Sequence, residues 1–96
     1  MMVVVSYDVS TIEPAGQTRL RRIAKTCKDY GQRVQFSVFE CEVDPGRWAF
    51  LRQKLLDEID PETDSLRFYF LGANWKRRIE CVGLKKGITP DEPLVV

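Results

Sequence analysis

Asp8 is the side chain whose type and place first invite chemistry. It closes the run Met2-Val3-Val4-Val5-Ser6-Tyr7-Asp8. A carboxylate therefore stands at the C-terminal end of a strand that both its faces mark for burial. Such a charge must be solvated, paired or metal-bound. Two uses stay open. Asp8 caps the next segment or pairs with an arginine of the first helix, or else it ligates a metal. One carboxylate makes a poor Mg²⁺ site, because the ion needs several further oxygens. Waters and substrate phosphates can complete the shell, or a second subunit can bring its own Asp8 across a twofold axis. Two carboxylates that close bind a proton or recruit a cation, and a bound ion polarises a phosphodiester and lowers the pKa of a water.

Cations supply the second chemistry. The 15 Lys plus Arg nearly balance the 14 Asp plus Glu, for a net charge of +1, yet the signs are segregated. Arg19, Arg21, Arg22, Lys25, Lys28 and Arg33 crowd one stretch, opposed only by Asp29. Arg21, Lys25 and Lys28 share a helical face at i, i+4 and i+7. Lys76-Arg77-Arg78 follows Trp75, with Lys85-Lys86 beyond, while Asp57, Glu58, Asp60, Glu62 and Asp64 gather elsewhere. One use of such a face is simple solvation. The other is phosphate-backbone binding by charge and shape, for which arginine's planar fork is suited. Salt-bridged surface helices mix signs at i, i+4, and the basic segment is read as unmixed. Trp75 either stacks on a base or packs its turn onto the core or a partner.

Absences narrow the field. There is no histidine, which excludes imidazole bases and ligands. Cys27, Cys41 and Cys81 form no C-x-x-C, so neither a zinc knuckle nor a thioredoxin-type motif fits; all three are read as buried thiols. Any metal must take oxygen ligands, which favours a hard cation such as Mg²⁺. At 96 residues, 44% hydrophobic and 30% charged, the chain is one globular domain with a real core. No apolar run approaches the ~20 residues of a bilayer span. The first residues lack the basic region of a signal peptide, so the expected address is cytoplasmic.

The elements that must position these residues follow from pattern. Met2 to Asp8 reads as a central strand. Ser10-Thr11-Ile12-Glu13 has capping-box spacing and Pro14 suits a first helical turn. Leu20, Ile23, Ala24, Cys27 and Tyr30 form one apolar helical face ended by Gly31. From Arg33 to Val43 the chain is extended: Val34, Phe36 and Val38 alternate, then Phe39, Cys41 and Val43 continue in the other phase. That slip implies a bulge or bend, or a strand buried on both faces. Asp44-Pro45 starts a second helix, buried through Trp48, Leu51, Leu55 and Ile59 and stopped at Asp60-Pro61. Leu66, Phe68 and Phe70 mark another strand, and Arg78 to Gly83 a short final one. The order β-α-β(β)-α-β, with two helices on one face of an antiparallel sheet, is an α+β, ferredoxin-like arrangement.

Three segments, Ser6-Tyr7-Asp8-Val9, Tyr30-Gly31-Gln32-Arg33-Val34-Gln35-Phe36-Ser37-Val38-Phe39-Glu40 and Asp64-Ser65-Leu66-Arg67-Phe68-Tyr69-Phe70-Leu71, together resemble the CRISPR-associated protein Two (Cas-Two) family, over nearly the whole chain. The resemblance implies a ferredoxin-like βαββαβ homodimer spanning residues 1–96, whose C-terminal extension, from about residue 84 to 96, exchanges a strand onto the partner sheet. It implies metal-dependent cleavage of phosphodiesters in single-stranded RNA or double-stranded DNA, with Mg²⁺ shared between two Asp8. Tyr7, Arg19, Arg22, Arg33 and Phe39 join Asp8 as implied site residues, and Arg21 is an alternative to its neighbour. The family also bridges dimers of the integrase subunit in spacer acquisition and binds duplex spacer precursor DNA. In that architectural role Arg19, Arg21, Arg22, Lys25, Lys28, Lys76, Arg77 and Arg78 are the expected nucleic-acid contacts. A small regulatory or toxin module of the same fold is the reading outside this family.

Overall fold

The structure, a computed structural model, describes residues 1–83. The expected C-terminal extension, the Lys85-Lys86 pair and any strand exchange lie outside the described residues. The elements run β1 (Met2–Asp8), α1 (Pro14–Tyr30), β2 (Gln32–Gln35), β3 (Val38–Glu42), α2 (Pro45–Glu58) and β4 (Ser65–Gly72), then a 3₁₀ turn at Trp75–Arg77. The four strands form one sheet in the order β2-β3-β1-β4, and every neighbouring pair is antiparallel. This is the expected ferredoxin-like α+β topology.

β1 is central because its neighbours cover both its edges. Val3, Val5 and Tyr7 face the helices and are buried, together with Ile23 and Cys27 of α1, Phe39 and Cys41 of β3, and Leu51 and Leu55 of α2. Each fully buried aliphatic side chain removes enough apolar surface from water to contribute about 1.5–3 kcal/mol. The opposite sheet face carries Val4, Ser6 and Asp8 beside Glu40 and Val38 of β3 and Tyr69, Arg67 and Ser65 of β4.

The phase slip within Arg33–Val43 is not a strand buried twice, and the register does shift between Arg33 and Gln35. It is a reversal: Phe36-Ser37 turn the chain, and Gln32 pairs with Glu40 and Arg33 with Phe39. The turn puts Phe36 at the hairpin tip, 66% exposed, while Phe39 is fully buried.

Helix starts follow two different rules. Asp44 caps α2 with its side chain, accepting from the Arg47 amide at 2.7 Å. At α1 the capping box is not made. Glu13 is the cap residue and gives no side-chain bond, with Pro14 in the first turn; the Ser10 amide instead donates to Asp64. α1 ends at Gly31 in extended backbone. Glycine is needed there for proximity: a Cβ would lie 2.3 Å from the Glu40 carbonyl oxygen and 2.6 Å from Cys41 Sγ.

Two further expectations are corrected. Arg78–Gly83 forms no strand, because the chain passes from the 3₁₀ turn into irregular backbone. Cys81 is exposed, whereas Cys27 and Cys41 are buried.

Candidate functional site

The end of β1 is held asymmetrically. Its ladder with β3 stops at Ser6, opposite Val38, and the Tyr7 amide makes a last bond to the Ser37 carbonyl at 3.0 Å. Only β4 continues alongside, with Tyr7 opposite Leu66 and Asp8 opposite Ser65. Asp8 thus projects past the β2–β3 hairpin with its residue exposed. Among the described residues it has no ion-pair partner, so the alternative in which a helix arginine neutralises it is not realised. No three carboxylate or thiol groups converge on a metal-sized site among the described residues. The donor set of one chain is a single accessible hard oxygen ligand, suited to Mg²⁺ in kind but short of its coordination number.

Beneath Asp8 the structure joins three of the expected site residues. Tyr7 is buried and stacks on Phe39, centroids 6.2 Å apart at 22°. The Arg33 guanidinium lies over the Phe39 ring, 5.1 Å from its centroid. Burial, helped by neighbouring Cys27, pushes the Tyr7 phenol above its ordinary value, with Arg33 pulling the other way. Tyr7 is therefore a neutral donor near pH 7, and its hydroxyl donates to the Phe36 carbonyl at 3.2 Å. Phe39 has no access to a substrate; the exposed aromatic of the hairpin is Phe36. The alternation of Val34, Phe36 and Val38 pointed inward, and only the hairpin reversal reveals Phe36 as an outward ring.

The arginines separate into two groups. Arg19 Nε donates to Asp64 Oδ2 at 2.9 Å, and its Nη2 reaches Asp64 Oδ1 and the Thr63 hydroxyl, each at 3.3 Å. Asp64 also accepts from the Ser10 and Asp60 amides at 3.1 and 2.9 Å and from the Thr63 hydroxyl at 3.1 Å. Burial by itself would push the Asp64 carboxyl up; Arg19, the two amides and Thr63 outweigh it and hold the pKa at about 2. Arg21, Arg22 and Arg33, by contrast, are exposed. In the sequence Asp64 stood only as one of an acidic group and as the first residue of the third family-like segment, with no sign of its role.

The basic helix is less unmixed than the sequence suggested. Lys25 Nζ meets Asp29 Oδ2 at 3.2 Å in an exposed i, i+4 pair, of the kind worth about 0.3–0.5 kcal/mol. Lys28 remains exposed near the far end of α1. There Tyr30 and Trp75 line one cleft of about 380 Å³ with Met2, Glu40 and Glu42. Trp75 is half-buried, with Lys76 Nζ 5.6 Å from its ring centroid. The Lys76-Arg77-Arg78 turn therefore adjoins the C-terminal end of α1. It lies at the Met2 end of β1, since Gly72 pairs with Met2, and so about 20 Å from Asp8 along the strand. The cations therefore do not all gather around Asp8: the Lys76-Arg77-Arg78 turn stands at the opposite sheet end, and the cleft between it and the end of α1 carries Glu40 and Glu42.

The family model for CRISPR associated protein Cas2 matches residues 1–79. The chain belongs to this family. It is 60% identical to the CRISPR-associated endoribonuclease Cas2 of Nitratidesulfovibrio vulgaris over 96 residues, covering all of this chain and 94% of that protein. It is 67% identical to the protein of the same name from Chlorobaculum tepidum over 86 residues, 90% of each chain. Among solved structures, Streptococcus pyogenes Cas2 at pH 6.5 superposes with a TM-score of 0.75 at 58% identity, covering 86% of this chain and all of that one. The resemblance read from the three sequence segments is thereby established as family membership, and the ferredoxin-like fold is the Cas2 fold. Among the described residues no helix is long and apolar enough to cross a membrane.

Proposed function

We propose that this Cas2-family chain is a cytoplasmic CRISPR adaptation protein that acts as a homodimer and cleaves phosphodiesters with the help of a hard divalent cation. The observation that carries the reading is Asp8: an exposed carboxylate without an ion-pair partner among the described residues, on a strand end fixed by β4. Relatives named endoribonucleases support the class of reaction. One carboxylate per chain is too few for Mg²⁺, so the Asp8 of a second copy completes the protein's share of the site. When bound, the ion supplies Lewis-acid polarisation of the phosphodiester. The chain's own residues do the rest. Arg33 and Arg21 or Arg22, all exposed, hold the phosphate by charge-assisted hydrogen bonds. Tyr7 and Phe39, buried beneath Asp8, keep the strand end and hairpin in register and do not touch substrate. The outer edge of β4 has no strand beside it among the described residues, which supports an exchanged strand from the partner as its cover.

Cleavage of single-stranded RNA and duplex DNA by wild type and Asp8→Asn, with and without EDTA, tests this reading. Loss of cutting in both Asp8→Asn and EDTA is the expected result. Cutting that survives the substitution overturns it.

A second reading, an architectural subunit that binds duplex spacer precursor and bridges integrase dimers, is favoured by one specific observation. The end of α1 and the Trp75 turn line one cleft, which brings the Lys76-Arg77-Arg78 cations to the end of the basic helix. Duplex affinity is then expected to fall steeply with salt. Reversing Arg21, Lys25 and Lys28 to Glu is expected to abolish it, while Asp8→Asn leaves spacer acquisition intact.

A further inference from the structure

We propose that the buried Asp64–Arg19 pair is the positioning device for Asp8. The inference rests on the reading of Asp8 given above and assigns to Asp64 a role that acts through Asp8 alone.

The geometry is specific. An exposed carboxylate is useful as a ligand only if its backbone is fixed, and β1 loses its β3 neighbour after Ser6. Tyr7 still bonds the Ser37 carbonyl through its amide; beyond it the strand is held on one side by β4, and Asp8 sits opposite Ser65, the residue next to Asp64. Two residues beyond Asp8, the Ser10 amide donates to Asp64 Oδ1 at 3.1 Å. The same carboxylate thus anchors the start of β4, which pairs with Asp8, and the segment that leaves Asp8. Its Asp60 bond at 2.9 Å ties in the turn after α2, and Arg19 ties in α1. The Asp64 side chain is fully buried. A buried carboxylate is costly unless its lone pairs are occupied, and here the surrounding donors occupy them in one arrangement. The capping box that the sequence offers at Ser10 is given up for this contact, so the loop takes its course from Asp64 and not from the helix it precedes. Gly16 belongs to the same device: a Cβ there would fall 1.8 Å from the Ser10 carbonyl oxygen, so α1 presses directly on the loop that Asp64 holds.

A merely stabilising pair and a positioning pair differ in what they move. The probe is Mn²⁺, a paramagnetic hard cation, titrated into the nitrogen-15-labelled full chain while broadening of the Asp8 amide signal is followed. Turnover of single-stranded RNA is measured on the same samples. In wild type, broadening centred on Asp8 is expected. In Asp64→Asn and in Arg19→Lys, the Mn²⁺ midpoint at Asp8 is expected to rise about tenfold, the scale on which outer-sphere partners act on a metal ligand. kcat should fall while the KM for RNA stays near wild type. Should either single variant fail to give a cooperative melt, Thr63→Val, which removes a hydroxyl that donates to Asp64 and accepts from Arg19 while leaving the ion pair itself, carries the same comparison. Folded variants that titrate and cleave like wild type overturn the positioning role and leave the reading of Asp8 standing. Wild type showing neither broadening at Asp8 nor metal-dependent cleavage overturns the reading of Asp8 itself.

Discussion

The Tyr7 hydroxyl donates to the Phe36 carbonyl at 3.2 Å, so the last buried residue of β1 holds the tip of the hairpin formed by β2 and β3. This bond joins the centre of the sheet to its outer ribbon next to Asp8. Tyr7→Phe keeps the stack on Phe39 and removes only the bond. A loss of about 1 kcal/mol in stability is expected, measured by urea unfolding, with faster amide exchange confined to the hairpin tip.

Phe36 and Phe39 lie three positions apart and are expected to behave oppositely. Phe39→Ala empties a fully buried site and should cost about 3–5 kcal/mol. Phe36→Ala removes an exposed ring and should leave stability within about 0.5 kcal/mol. Thermal melts of the two variants check this, and any effect of Phe36→Ala on RNA cleavage then reports contact with substrate.

Acid should act on Asp64 in a defined window. Its carboxyl is lowered from 3.8 to about 2 in the folded chain. A depressed folded-state value means that the contribution is complete above the unfolded value near 4 and disappears as pH falls through about 2. Its size is on the order of 2 kcal/mol. The stability difference between wild type and Asp64→Asn, from urea midpoints, is expected to shrink steadily as pH is lowered across that interval.

Thiol reactivity should divide the cysteines. Burial pushes Cys27 up to about 12 and Cys41 to about 11, so neither carries thiolate near pH 8, and both lack solvent access. A thiol reagent added to the native chain is expected to modify Cys81 alone, and to reach Cys27 and Cys41 only on unfolding. Mass spectrometry of the labelled peptides decides it.

Glycine substitutions separate close approach from helix propensity. Gly31→Ala drives a Cβ against the Glu40 carbonyl and Cys41 Sγ and should cost about 1–3 kcal/mol. Gly46→Ala meets only Asp44 Oδ1 at 3.4 Å and is expected to be neutral or slightly stabilising. Melting curves of the pair provide the comparison.

What the sequence discloses is what neighbours in the chain determine. The β1 run, the Asp44-Pro45 helix start and the apolar face of α1 all depend on residues within a few positions of one another, and each is found where its pattern places it. The reversal at Phe36-Ser37 left only a slip of phase, because that pair carries no glycine or proline to announce a turn. The Asp64 cluster left no trace, because its partners Arg19 and Ser10 lie 45 and 54 residues away. Local capping chemistry then misled at Ser10, whose amide is claimed by that distant carboxylate. Asp8 was legible as a strand-end charge, but only the folded chain gives Arg19 to Asp64 and leaves Asp8 without an ion-pair partner among the described residues.

The length of α1 sets a ruler. Its 17 residues rise about 25 Å, which corresponds to roughly seven base steps of duplex at about 3.4 Å each. On the architectural reading proposed above, a duplex lying along the cations of one chain would therefore be contacted over less than a full helical turn. On that reading, a fragment several turns long would be gauged by an assembly in which successive basic helices are laid end to end, so that fragment length would become a property of subunit arrangement and not of this polypeptide alone.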